Sequence, residues 1–109
     1  VWLRAARTSA MTGEQLPRNA PSREALLAVH DFPGEFIIKA FGPGHGDFVA
    51  RASVCATAVI GAEAVVTSER GTQSGRKICV TLTMQIPTVE HVEEIYERLF
   101  ALNDLLLIL

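Results

Sequence analysis

The sequence predicts an α+β domain of order strand, helix, strand, strand, helix, strand, and three observations carry that prediction. Ile78, Val80, Leu82, Met84 and Ile86 alternate with Lys77, Cys79, Thr81, Thr83 and Gln85, the period-two pattern of a strand with one buried face. After Pro87-Thr88 the period changes: Val89, Val92, Ile95 and Leu99 recur at helical spacing, with Glu90, Glu93, Glu94, Glu97 and Arg98 on the other side. Turn signals at Asp31–Gly34, Gly42–Gly46, Arg70–Gly75 and Asn103-Asp104 cut the remainder into short elements.

In chain order, residues 1–23 carry little pattern and read as a flexible extension. Met11 lies inside a chain that opens at Val1, which suggests a fragment or an upstream-extended reading frame with Met11 as the start. A targeting peptide is the alternative, because Arg4 and Arg7 precede any acid. Residues 24–109 form the domain. Glu24 to Val29 reads as a helical turn tethered by Leu26 and Leu27. Pro33 and Gly34 make a turn. Glu35 to Phe41 is the first strand, with Phe36, Ile38 and Ala40 for the core and Ile37, Lys39 and Phe41 outward. Asp47 caps a helix from Phe48 to Ile60, and Gly61 ends it. Ala62 to Glu69 is the second strand, and Arg70 to Gly75 is a hairpin loop. The long strand and acidic helix follow, and Leu105 to Leu109 is the last strand. Right-handed crossovers put two helices on one face of a four-stranded antiparallel sheet with the first and third strands central, a ferredoxin-like pattern.

Composition narrows the function classes. The chain has 109 residues, 49% of them hydrophobic, which suits one small domain with a real core. A formal net charge of -2 gives no field toward nucleic acid or anionic lipid, so neither is expected as a partner. No apolar run approaches a membrane span of ~20 residues. Cys55 and Cys79 lie outside any Cys-x-x-Cys pair and read as small thiols in a reducing cytoplasm.

Leu26-Leu27, Asp31-Phe32-Pro33 and Phe36-Ile-Ile-Lys39-Ala-Phe-Gly42 resemble the opening of the YbeD-like proteins, a bacterial family of uncharacterised function. Ser74-Gly75, Val80-Thr-Leu-Thr, the helix from Val89 to Leu99 and the apolar C-terminus look like that family's second half, so the resemblance covers about Leu26 to Leu109. It implies a ferredoxin-like fold similar to ACT-type regulatory domains, and it implies no catalytic residues. The chain departs from it in a first helix rich in small residues and in its Pro-Gly-His-Gly loop.

That loop, with Gly42, Gly44, His45, Gly46 and Asp47, is the candidate ligand site. Glycines let backbone N–H groups approach a ligand, and the helix start behind offers a positive dipole end. Resemblance to ACT-type domains adds that small effectors often bind near this loop, commonly at a dimer interface. The plain alternative is a tight connection that needs glycine geometry. The loop is neither Gly-x-Gly-x-x-Gly nor a Walker loop. His30, His45 and His91 have no carboxylate or thiol at ligand spacing, so no metal or other cofactor is expected. The glutamates of the second helix can dock a basic partner or simply face water, and Glu94 can pair with Arg98. Tyr96 reads as overhanging the core.

An outer sheet face of Ile37, Lys39, Phe41, Val65, Thr67, Cys79, Thr81 and Thr83 lacks the stacking aromatics of an RNA-binding sheet. The first loop lacks the arginine that acylphosphatase chemistry requires on this fold. The expectation is a non-catalytic binding or regulatory module, a homodimer through the apolar last strand, sensing a metabolite or protein partner. The alternative is a small enzyme using the Gly42–Asp47 loop and His45.

Overall fold

The computed structural model describes residues 20–109. The elements are α1 (Arg23–Val29), β1 (Gly34–Pro43), α2 (Phe48–Ile60), a 3-10 turn (Ala62–Ala64), β2 (Val65–Gly71), β3 (Lys77–Ile86), α3 (Val89–Phe100) and β4 (Leu107–Ile108). The four strands form one antiparallel sheet in the order β2-β3-β1-β4. The fold is α+β and ferredoxin-like, with β1 and β3 central as expected.

Alternation along β1 and β3 decides where the core lies. Phe36 pairs with Met84, Ile38 with Leu82 and Ala40 with Val80, and all six side chains are buried. Paired residues of an antiparallel ladder share a face, so this row meets the helices. Phe48, Ala52, Cys55 and Ala56 of α2 and Val89, Val92, Ile95, Tyr96 and Leu99 of α3 close over it. Each fully buried large side chain contributes roughly 1.5–3 kcal/mol. Among the described residues no charged side chain is buried, so the core carries no charge to desolvate.

α1 is a third helix, laid on α3. Ser22 caps it, its hydroxyl accepting from the Ala25 N–H at 3.1 Å. Leu26 is buried, but Leu27 is 53% exposed. In a helix this short, adjacent leucines point about 100° apart and only one reaches the core. Arg23 reaches α3 from the surface, donating to both Glu93 carboxylate oxygens at 3.1 and 2.6 Å. The flexible extension expected for residues 1–23 lies outside the described residues except at Ala20 to Arg23, where this cap and helix begin.

Four further expectations change. Ala62–Ala64 is a 3-10 turn, because Gly61 (φ +91°) redirects the chain first. β2 therefore starts at Val65, and its register pairs Val65 with Met84 and Thr67 with Leu82. Val65 and Thr67 thus face the helices, and Val66, Ser68 and Arg70 take the open face. β4 spans Leu107–Ile108 rather than Leu105 to Leu109; Leu106 and Leu109 beside it also hydrogen-bond to β1, and Leu105 turns into the core. Asp47 stands before α2 with no side-chain capping bond.

Candidate functional site

The Gly42–Asp47 loop sits at the end of the sheet where the β2–β3 hairpin and the α3–β4 turn converge. Its glycines answer to packing. A Cβ at Gly42 would meet the Phe48 ring, and one at Gly44 would run into the Gly75 carbonyl. The Gly44 N–H donates to the Arg76 carbonyl at 2.9 Å, extending the β1–β3 ladder into the loop. Gly46 has φ +77°, a conformation that favours glycine. Gly42 and Gly44 are thus held by close approach and Gly46 by its turn. His45 is exposed.

Asp47 is engaged elsewhere. Its Oδ1 accepts from Arg51 Nε at 2.7 Å, and the same guanidinium reaches Asp104 at 3.0 and 2.6 Å. Arg51 also lies over the Phe48 ring, 5.9 Å from its centroid. Hydrogen bonds from Arg51 hold both carboxyls below the usual aspartate range, and the two aspartates push the guanidinium up in turn. Asp47–Arg51 is visible in the sequence as an i,i+4 pair. Asp104 is not, because only the fold brings the α3–β4 turn to α2. The result is a strap that ties the start of α2 to the end of α3.

The three histidines stay apart. The His30 ring packs tilted against Phe36, 4.5 Å between centroids, opening an aromatic run through Phe36, Tyr96 and Phe100. His91 Nδ1 lies 2.7 Å from the Thr88 hydroxyl at the start of α3. Among the described residues no group of three or more His, Cys, Asp or Glu side chains is placed to hold a metal ion. The acidic face of α3 is partly occupied from within: Glu90 and Glu93 by Arg23, and Glu94 by Arg98 at 3.1 Å. Tyr96 is buried, and burial pushes its phenol up to about 12.

A hollow of about 450 Å³ opens between α2 and α3, lined by Ala50, Arg51, Val54, Cys55, Arg98 and Leu102. Another, of about 250 Å³, lies under α1 beside His30 and Phe36. The open face of the sheet carries further exposed apolar side chains. Ile37 is 49% exposed, Val66 68% and Leu107 46%. Around them stand Lys39, Phe41, Ser68, Arg70, Cys79, Thr81 and Thr83. In the described residues no helix is long and apolar enough to cross a membrane.

No curated protein and no solved structure matches the chain. One family model does, over residues 28–109, and it is described as a protein of unknown function, DUF493. The match spans both halves of the sheet and the loop between β1 and α2, so the chain belongs to the DUF493 family, the family of the YbeD-like proteins.

Proposed function

We propose that the protein is a small, non-catalytic binding module of the regulatory kind, akin to ACT-type domains, working in the cytoplasm as a homodimer. It takes a small-molecule effector or a protein partner. The observation that supports this most is the sheet face that the described residues leave uncovered, where large apolar side chains on three strands are exposed across a four-stranded floor. Exposed apolar surface of this kind marks contact with a partner or a ligand. The effector belongs at the Gly42–Asp47 loop, where His45 is exposed and Gly42 and Gly44 hold the loop rigid against Phe48 and the hairpin.

Native mass spectrometry of the purified protein tests the reading. The expected result is a two-copy mass with a retained ligand or partner. Turnover of a metabolite that His45→Ala abolishes would overturn it in favour of an enzyme built on this loop.

A further inference from the structure

The open face of the sheet separates its charges. Its rows, read across β2, β3 and β1, are Val66–Thr83–Ile37, Ser68–Thr81–Lys39 and Arg70–Cys79–Phe41. Glu35 stands beside Gln85 at one end, and Lys77 beside Pro43 at the other. The strands thus bring Lys39, Arg70 and Lys77 to this face against a single acid, Glu35. Elsewhere Arg23, Arg51 and Arg98 are all held by carboxylates. Lys39, Arg70 and Lys77 make no ion pair with a described residue, and all are exposed. One surface therefore gathers cations that the described residues leave without counter-charge.

The same face has a shape. β3 sets Cys79, Thr81 and Thr83 down its middle, all small. Larger side chains stand on either side, Ile37, Lys39 and Phe41 from β1 and Val66 and Arg70 from β2. A shallow trough therefore runs along β3. Its walls are about 10 Å apart, two strand spacings, and an α-helix with its side chains is about 10 Å across. Ile37 and Val66, both exposed, flank the Thr83 end. The cationic end lies at Arg70 and Lys77, beside the hairpin. An apolar sheet face is closed by a helix or by a second sheet.

We infer that the trough along β3 seats an acidic amphipathic helix of a partner protein. The apolar stripe of that helix lies on Ile37, Val66 and Phe41, and carboxylates on its flanks reach Lys39, Arg70 and Lys77. From Val66 to Arg70 the trough runs about 13 Å, which about nine residues of helix cover. Apolar anchors one turn apart then meet the walls, the usual reading of a helix in a groove. Charge decides against the other occupants. A second copy laid face to face doubles the cations of the interface and adds only another Glu35. Residues 1–19, which precede the described residues, carry Arg4, Arg7 and Arg18 against Glu14 alone, so they bring more of the same sign. Nucleic acid has the right sign but needs stacking rings, and Phe41 is the one aromatic ring on this face of the strands.

The proposal rests on the binding-module reading and names its kind of partner; it depends neither on the loop effector nor on the dimer. The probe is a synthetic helical peptide of about 18 residues, five turns, with a leucine stripe flanked by glutamates. Its twin carries lysine in place of every glutamate. Binding to the full chain is read by amide and methyl NMR shifts. The acidic peptide should move Ile37, Lys39, Val66, Arg70 and Thr81, and should weaken roughly tenfold between about 0.05 and about 0.5 M salt. Lys39→Glu with Arg70→Glu should weaken it roughly tenfold and admit the lysine twin at the same residues, which also shows the variant folded. Lys77→Glu alone, at the strand end, should give a smaller loss of the same sign. Equal binding of the two peptides, no binding of either, or shifts confined to the hollow between α2 and α3 overturns the proposal. Open-face shifts on raising the protein concentration alone overturn it in favour of a second copy. Tighter binding there of an RNA of about twelve nucleotides, or of phosphatidylglycerol vesicles, overturns it in favour of those ligands. Each of these failures leaves the binding-module reading standing if native mass spectrometry retains a ligand or partner. Turnover that His45→Ala abolishes sinks that reading and leaves the peptide result untouched.

Discussion

At the scale of single residues, β3 decides most. Leu82 is fully buried between β1, β2 and the helices, while Thr81 beside it lies on the open face. Leu82→Ala should destabilise by ~2–5 kcal/mol, the usual cost of emptying a large aliphatic site. Thr81→Ala should shift the denaturant midpoint little, and equal losses would reverse the face assignment. Tyr96 supplies a second test. Its ionisation is pushed up to about 12 by burial, so the folded state resists losing the phenolic proton. That contribution is whole below the ordinary tyrosine value of 10 and is lost as pH rises toward 12. Tyr96→Phe should fold normally and flatten the alkaline limb of stability measured from pH 9 to 12. The alternation that placed Leu82 was legible because ten residues repeat it without interruption. β2 was not legible in the same way. Val65 and Val66 are adjacent valines, and either can be the inward one until the preceding turn fixes the phase.

At the scale of elements, the strap between α2 and α3 illustrates what sequence spacing can and cannot show. Asp47 and Arg51 are four residues apart and their pairing follows from helix geometry. Asp104 joins them from 53 residues away, by virtue of the fold alone. Both aspartates titrate below their unfolded value of 3.8 because Arg51 donates to them. Their contribution is present above that value and is lost as pH falls through the folded pKa values. Arg51→Gln should therefore weaken the wild-type protein's stability near neutrality and leave the gap between the two closing below pH 4. Acid titrations of both proteins followed by circular dichroism check this. A gap that stays constant to pH 2 would mean that Arg51 acts through its packing on Phe48 instead. The last strand was the hardest element to read. Five consecutive apolar residues, Leu105 to Leu109, fit a buried strand equally at every position, so the pattern could not reveal that Leu105 leaves the sheet for the core.

At the scale of the whole molecule, the sheet and its two covering helices account for the core, and α1 is an addition clamped from outside. It enters through one buried leucine, Leu26, and one guanidinium, Arg23, that bridges Glu90 and Glu93 of α3. The ion pairs are exposed, and pairs of that kind contribute little by themselves. The leucine, with the ring cluster of Phe36 and Tyr96 near it, supplies the attachment. Two shortened chains separate these contributions. One that begins at Ala20 keeps the Ser22 cap, Arg23 and Leu26. One that begins at His30 keeps the four-stranded sheet, α2 and α3 but opens the hollow beneath Leu26 to water. The second should remain folded and be less stable than the first by an amount close to Leu26→Ala measured in the longer chain, ~2–5 kcal/mol. Arg23→Ala should cost far less than Leu26→Ala. If the chain from His30 fails to fold, α1 is an integral part of the core; if it loses nothing against the chain from Ala20, Leu26 fills no necessary space.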